Sequence, residues 1–218
     1  MNGLAPHTTA IFDAVCHLDC IRDYVLVGGT ALSLQIGTRL SEDLDFMSWR
    51  KSKNEKREVD WYSIKTELEG IGNVESVDLL DFNHVVFVVD GVKISFYASP
   101  NYSPLKNTVS LAGNLRLADR TAIGAMKMEV LLRRSKFRDY YDIYSLLEAG
   151  ENLHEMIDLA LKYSGHVLKS KNLLAMLTKS DRFIVDSNFK TLKPKYNVTP
   201  RDIEKRIIDE LSKGKSVE

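Results

Sequence analysis

"VLVGGTALSLQIGTRLSEDLDF", residues 25–46, carries a glycine pair, a short helical stretch and two aspartates one residue apart. The β-branched run from Val25 ends at Gly28 and Gly29, and "TALSLQIG" follows with helical spacing to a stop at Gly37. The stretch therefore reads as strand, tight turn, helix. "SEDLDFMSW" then alternates, with Leu44 and Phe46 on one side and Asp43 and Asp45 on the other, which is the period of a half-buried strand. Both carboxylates share a face.

Glycine lets backbone approach a ligand closely, and the N-terminus of the helix that follows offers free amide hydrogens and partial positive charge, a combination suited to phosphate. The same pair equally builds a tight turn with no ligand. Two carboxylates on one exposed face repel each other unless a cation sits between them, so Asp43 and Asp45 read as ligands for a hard divalent ion such as Mg²⁺. Taken alone, D-x-D is also common as a solvated strand edge. In conjunction with the glycine turn it points to phosphoryl or nucleotidyl transfer, where catalysis is mainly positioning plus neutralisation of phosphate charge.

The rest of the chain frames this stretch. Its 218 residues, 44% hydrophobic and 28% charged, suit one large domain or two small ones. Thirty Lys and Arg balance thirty Asp and Glu, so attraction to a polyanion or a membrane would have to come from local clusters. Two such clusters occur: Arg50, Lys51, Lys53, Lys56 and Arg57 after the aspartate strand, and Arg133, Arg134, Lys136 and Arg138 further on. Both read either as solvated charge or as a border for an RNA phosphate backbone. Cys16 and Cys20 read as reduced thiols on a first helix marked by Ile11, Ala14, Val15 and Leu18, and with His17 they are too few for zinc. No apolar run approaches the roughly 20 residues of a membrane span, and "MNGLAPHTTA" lacks the pattern of a signal peptide, so the chain reads as cytoplasmic with no membrane partner.

The segment "VDWYSIKTELEG" reads as a helix buried through Trp61, Ile64 and Leu68. "HVVFVV" and "VKISFYA" flank Asp90 and Gly91, the pair suited to a type I′ hairpin. The first half is expected to hold four or five strands with helices on at least one face. From about Asn114 the spacing turns helical in five successive segments, the last opened by Thr199 and Pro200. This predicts an α+β protein with an α/β core over residues 1–113, and a mostly helical domain over residues 114–218 completing a cleft. Tyr140, Tyr141 and Tyr144 read as core or as a stack for a base.

"VGGTALSLQIGTRLSEDLDF" (27–46) and "AMKMEVLLRRSKFRDYYDIY" (125–144) together resemble the AbiEii toxin family of nucleotidyltransferases, within the DNA polymerase beta superfamily. The resemblance implies a polymerase-beta-like nucleotidyltransferase domain with a mixed sheet. It implies that Asp43 and Asp45 hold Mg²⁺ on the phosphates of an incoming NTP. Gly28, Gly29 and Thr30 would line the triphosphate, with Gly29 standing where many members have serine, and Arg39 and Ser41 also fit the pattern. Lys127 would steady the phosphates, and Asp142 matches the downstream acid. The residues alone allow a solvated Lys127 and an ion pair between Arg138 and Asp142, four apart on one helix face. The acceptor implied is RNA, for example a tRNA end, and the partner a separate antitoxin.

There is one departure from the superfamily pattern. Its third carboxylate belongs on a later strand, and the matching position in "VKISFYA", between Ile94 and Phe96, is Ser95; no Asp or Glu occurs between Gly91 and Arg116. Three outcomes follow: one-metal chemistry, substitution by Asp142 or Asp139, or nucleotide binding without transfer. A haloacid-type phosphatase ranks below these, because Met47 and Ser48 follow Phe46 where that class carries Thr or Val.

Overall fold

The computed structural model describes residues 3–55, 57–165 and 167–213, so Lys56 of the first basic cluster lies outside the described residues. The chain divides into two units, Met1–Asp119 and Arg120–Glu218.

Seven strands form one mixed sheet in the first unit: β1 (Val25–Val27), β2 (Leu44–Arg50), β3 (Val74–Asp81), β4 (His84–Val89), β5 (Val92–Tyr102), β6 (Thr108–Ala112) and β7 (Leu115–Ala118). Their spatial order is β3-β4-β5-β2-β1-β7-β6. β2 runs parallel to β5 and β1 to β7, while the other neighbours are antiparallel. Three helices accompany the sheet: α1 (Pro6–Cys16), α2 (Gly28–Ile36) and α3 (Trp61–Glu69). Alternation along β2 sends Leu44 and Phe46 into the core, where Phe46 stacks on Phe96 at 5.1 Å and Tyr24 meets Phe96 edge-on. The opposite face keeps Asp45 and Met47 half-buried.

Asp90 and Gly91 turn the hairpin between β4 and β5 with φ of 46° and 74°, as a type I′ turn requires. The sheet has seven strands instead of four or five because its two edges carry weak patterns. β3, "VESVDLLD", is an exposed edge laden with acids and lacks alternation, the short β6 is the exposed edge at the other end, and β7 lies within the region read as turning helical. Cys20 sits in the turns after α1 and not on that helix. Burial, with Asp13 nearby, pushes the Cys16 thiol up to about 11, and burial with Glu67 pushes Cys20 up to about 12, so both thiols stay protonated at neutral pH. Ile64 and Leu68 are the buried side of α3, but Trp61 is 38% exposed at its first turn.

The second unit is helical as expected: α4 (Arg120–Val130), α5 (Phe137–Glu148), α6 (Leu153–Tyr163), α7 (Ser170–Leu177) and α8 (Pro200–Lys213). Asn152 caps α6 by accepting from the amides of His154 and Glu155. Thr199 and Asp202 exchange hydrogen bonds at the start of α8. Tyr140 and Tyr141 are fully buried on α5, Tyr140 stacked on Phe183 and the Tyr141 hydroxyl accepting from the Tyr196 amide at 3.0 Å. They are core side chains, while half-buried Tyr144 meets Tyr196 edge-on. Among the described residues no helix is long and apolar enough to cross a membrane.

Candidate active site

β1 ends at Val27, and the glycines form the opening turn of α2 instead of a separate loop before it. Gly28 has φ +70°, a conformation that costs an L side chain about 1–2 kcal/mol. A Cβ placed on Gly28 would also stand 3.1 Å from Asp45 Oδ2. Gly28→Ala is therefore expected to lower stability by about 1–2 kcal/mol and to shift the Asp45 carboxylate, both readable from urea unfolding and a crystal structure of the variant.

Gly29 makes room for a cation. A Cβ there would fall 2.3 Å from Arg39 Nη2 and 3.2 Å from Ser41 Oγ, so the buried Arg39 guanidinium lies against the first turn of α2. Arg39 Nη1 donates to the Leu40 carbonyl at 2.9 Å. Thr30 Oγ1 hydrogen-bonds Ser41 Oγ at 2.8 Å and the carbonyl of Asp43, tying α2 to the start of β2. Gly28, Gly29, Thr30, Arg39, Ser41 and Asp45 are thus brought together around one helix start.

Asp43 immediately precedes β2 and Asp45 is its second residue. Asp45 is in register with Ser95 of β5, whose hydroxyl donates to Asp45 Oδ1 at 2.6 Å. The neighbouring strand thus meets Asp45 with a hydroxyl. Among the described residues no group of three or more His, Cys, Asp and Glu side chains is placed to share a metal ion. Two carboxylates are hard oxygen donors that suit Mg²⁺, with phosphate and water oxygens completing its shell.

The first basic cluster lies elsewhere. Arg50 ends β2 five residues beyond Asp45, roughly 17 Å along the strand. Arg50, Lys51 and Arg57 line a cavity of about 1150 Å³, together with Arg22 and Arg116, and Gly28, Gly29, Asp43 and Asp45 are not part of its lining. Arg57 is paired with Glu55 at 2.6 Å.

The downstream motif forms a buried ionic cluster in the second unit. Lys127 Nζ on α4 lies 2.8 Å from Asp139 Oδ1 and 2.8 Å from Asp142 Oδ2, both on α5. Arg134 grips Asp139 with Nε and Nη2 at 2.8 and 2.9 Å. Lys127, Asp139 and Asp142 are all buried. Asp142 therefore pairs with Lys127 and not with Arg138, which reaches Asp186 at 3.2 Å. Spacing of four along one helix suggested the wrong partner because α4 supplies a buried cation on the other side.

Burial alone would raise the Asp139 pKa, but Lys127 and Arg134 outweigh it and hold the carboxyl at about 2, against an ordinary 3.8. A depressed pKa stabilises the fold above pH 4 and loses that contribution as pH falls through about 2. Asp139→Asn is expected to flatten the acid limb of stability over this window, by roughly 2–3 kcal/mol, in unfolding curves taken from pH 5 to 2.

A mixed α+β sheet whose glycine-led helix start faces a D-x-D strand is the frame of a nucleotidyltransferase fold. The chain belongs to the AbiEii family: the model for "Nucleotidyl transferase AbiEii toxin, Type IV TA system" matches residues 17–213. An uncharacterized protein of Aquifex aeolicus (strain VF5), aq_aa25, is 28% identical over 168 residues, covering 74% of this chain and 76% of that protein. The crystal structure of JHP933 from Helicobacter pylori aligns over 99% of both chains, with 18% identity and a TM-score of 0.47.

Proposed function

We propose that this protein is a Mg²⁺-dependent nucleotidyltransferase that moves a nucleoside monophosphate from an NTP to a hydroxyl of an RNA acceptor, a tRNA end included, with pyrophosphate leaving. The observation that carries the reading is the assembly of Asp45, Gly28 and the buried Arg39 around the start of α2. Free amides of that first turn bind phosphate oxygens, and the Arg39 guanidinium adds a fixed positive charge in a water-poor setting. Asp43 and Asp45 hold Mg²⁺, which when bound neutralises phosphate charge and orients the triphosphate. Ser95 fixes the Asp45 carboxylate through its hydrogen bond. Thr30 and Ser41 hold the helix start against the strand. Lys127 and Asp142, which the family resemblance assigns to the nucleotide, stand as a preformed buried pair within the second unit. By family, a cognate antitoxin is the expected protein partner.

One observation favours a second reading. The hydroxyl of Ser95 occupies the position of a third carboxylate, and this suits a nucleotide-binding regulatory module without transfer. Calorimetric titration with non-hydrolysable NTP analogues, with and without Mg²⁺, tests what the two readings share: binding is expected only with Mg²⁺ and is lost in Asp43→Ala. Binding unchanged by Asp43→Ala would remove the pair from the site. Turnover of α-labelled NTP then separates enzyme from module.

A further inference from the structure

Strand register extends the Asp45 face sideways into a row of side chains that the nucleotide reading leaves unused. Asp45 pairs with Ser95, and Ser95 with Val86; two residues on, Met47 pairs with Tyr97, and Tyr97 with His84. Residues in register on neighbouring strands share a face, and the hydrogen bond from Ser95 to Asp45 shows which face this is. His84, Tyr97 and Met47 therefore form a row parallel to the Asp45 row and about 7 Å from it. All three are half-buried, and the His84 and Tyr97 rings meet at 5.3 Å and 62°. On the other side of Ser95, two residues back along β5, stands the exposed Lys93.

We infer that His84 and Tyr97 form the stacking platform for the terminal base of the RNA acceptor, with Lys93 on an acceptor phosphate. This rests on the nucleotidyltransferase reading above. Half-exposed rings on a sheet face next to a basic side chain are how proteins hold unpaired bases, since every base offers a π-face. The distance fits: a base on the ring row places its own ribose hydroxyl toward Asp45, one side-chain step away. The charge also fits. Burial and Lys93 keep the His84 imidazole below its ordinary pKa despite the pull of Asp45 and Asp81, so the ring is neutral at pH 7 and stacks as an aromatic surface.

The test measures KM for acceptor RNA and for NTP, and kcat, in wild type, Tyr97→Leu, Tyr97→Phe and His84→Phe. It adds fluorescence anisotropy of a short labelled single-stranded RNA with a free 3′-hydroxyl. Tyr97→Leu keeps apolar packing and removes the ring, so it is the variant that folds if Tyr97→Ala does not. The expected result is a roughly 5- to 100-fold rise in acceptor KM and RNA Kd for Tyr97→Leu, with kcat and NTP KM unchanged, while both phenylalanine variants stay near wild type. RNA affinity equal in wild type and Tyr97→Leu overturns the platform, as does a wild type that binds no RNA. A kcat lost in His84→Phe also overturns it, assigning the imidazole to proton transfer instead. RNA affinity that falls in Tyr97→Leu while the wild type moves no label upholds the platform and overturns the transferase reading.

Discussion

Asp45→Asn is expected to abolish Mg²⁺-dependent transfer, by about 10³-fold or more, while leaving the fold as stable as wild type. The activity loss follows from removing one of two anionic donors for Mg²⁺, whose stabilisation of transition-state charge amounts to several kcal/mol. The stability expectation follows from the site's geometry. Asn keeps an oxygen that can accept from Ser95 Oγ, so the tie between β5 and β2 at this point is retained. Unfolding free energy should change by less than about 0.5 kcal/mol, a melting shift of about 2 °C at most in a chain this size. Kinetics and a thermal melt on the same preparation check both halves. A variant that melts far below wild type would show Asp45 to be a structural residue, and one that keeps its activity would remove it from the site.

Lys127→Ala carries the largest expected stability effect. Asp139 and Asp142 are 0% and 1% exposed, and Lys127 supplies a cation to both. Truncating it takes a cation away from both buried carboxylates, and breaking a buried pair in this way costs about 3–5 kcal/mol. The corresponding fall in melting temperature is about 6–20 °C. Loss of activity in this variant therefore has two sources, the fold and the chemistry. The double variant Lys127→Met, Asp142→Leu separates them: it removes both members of the Lys127–Asp142 pair in favour of apolar groups while Arg134 keeps its two hydrogen bonds to Asp139, so part of the lost stability returns. Recovered melting without recovered NTP binding would assign the Lys127–Asp142 pair to the nucleotide. An unaltered melt in Lys127→Ala would contradict the burial argument itself.

The parts of this protein legible in its sequence are those written by local rules. Alternation placed Asp45 opposite Leu44 and Phe46, the Asp90 and Gly91 pair specified the hairpin, and helical spacing located α4 to α8 among the described residues of the second unit. Ser95 was legible because Ile94 and Phe96 frame it in the same alternation. What local rules omit is who stands next to whom. The exposed edge strand β3 has no buried face to impose a period, so its pattern is silent. The partnership of Lys127 with Asp139 and Asp142 crosses from α4 to α5, and no spacing within either helix reports it. The nearness of Tyr97 and His84 to Asp45 depends on register across three strands, which the sequence does not show.

The most direct test of the central claim follows both ends of the triphosphate in one reaction. Wild type and the Asp43→Ala, Asp45→Ala variant are incubated with Mg²⁺, total cellular RNA and each NTP labelled at either the α- or the γ-phosphate. Nucleotidyl transfer predicts that wild type alone puts α-label on RNA while γ-label leaves as pyrophosphate. γ-label on the acceptor, or α-label transfer that persists in the double variant, would contradict it.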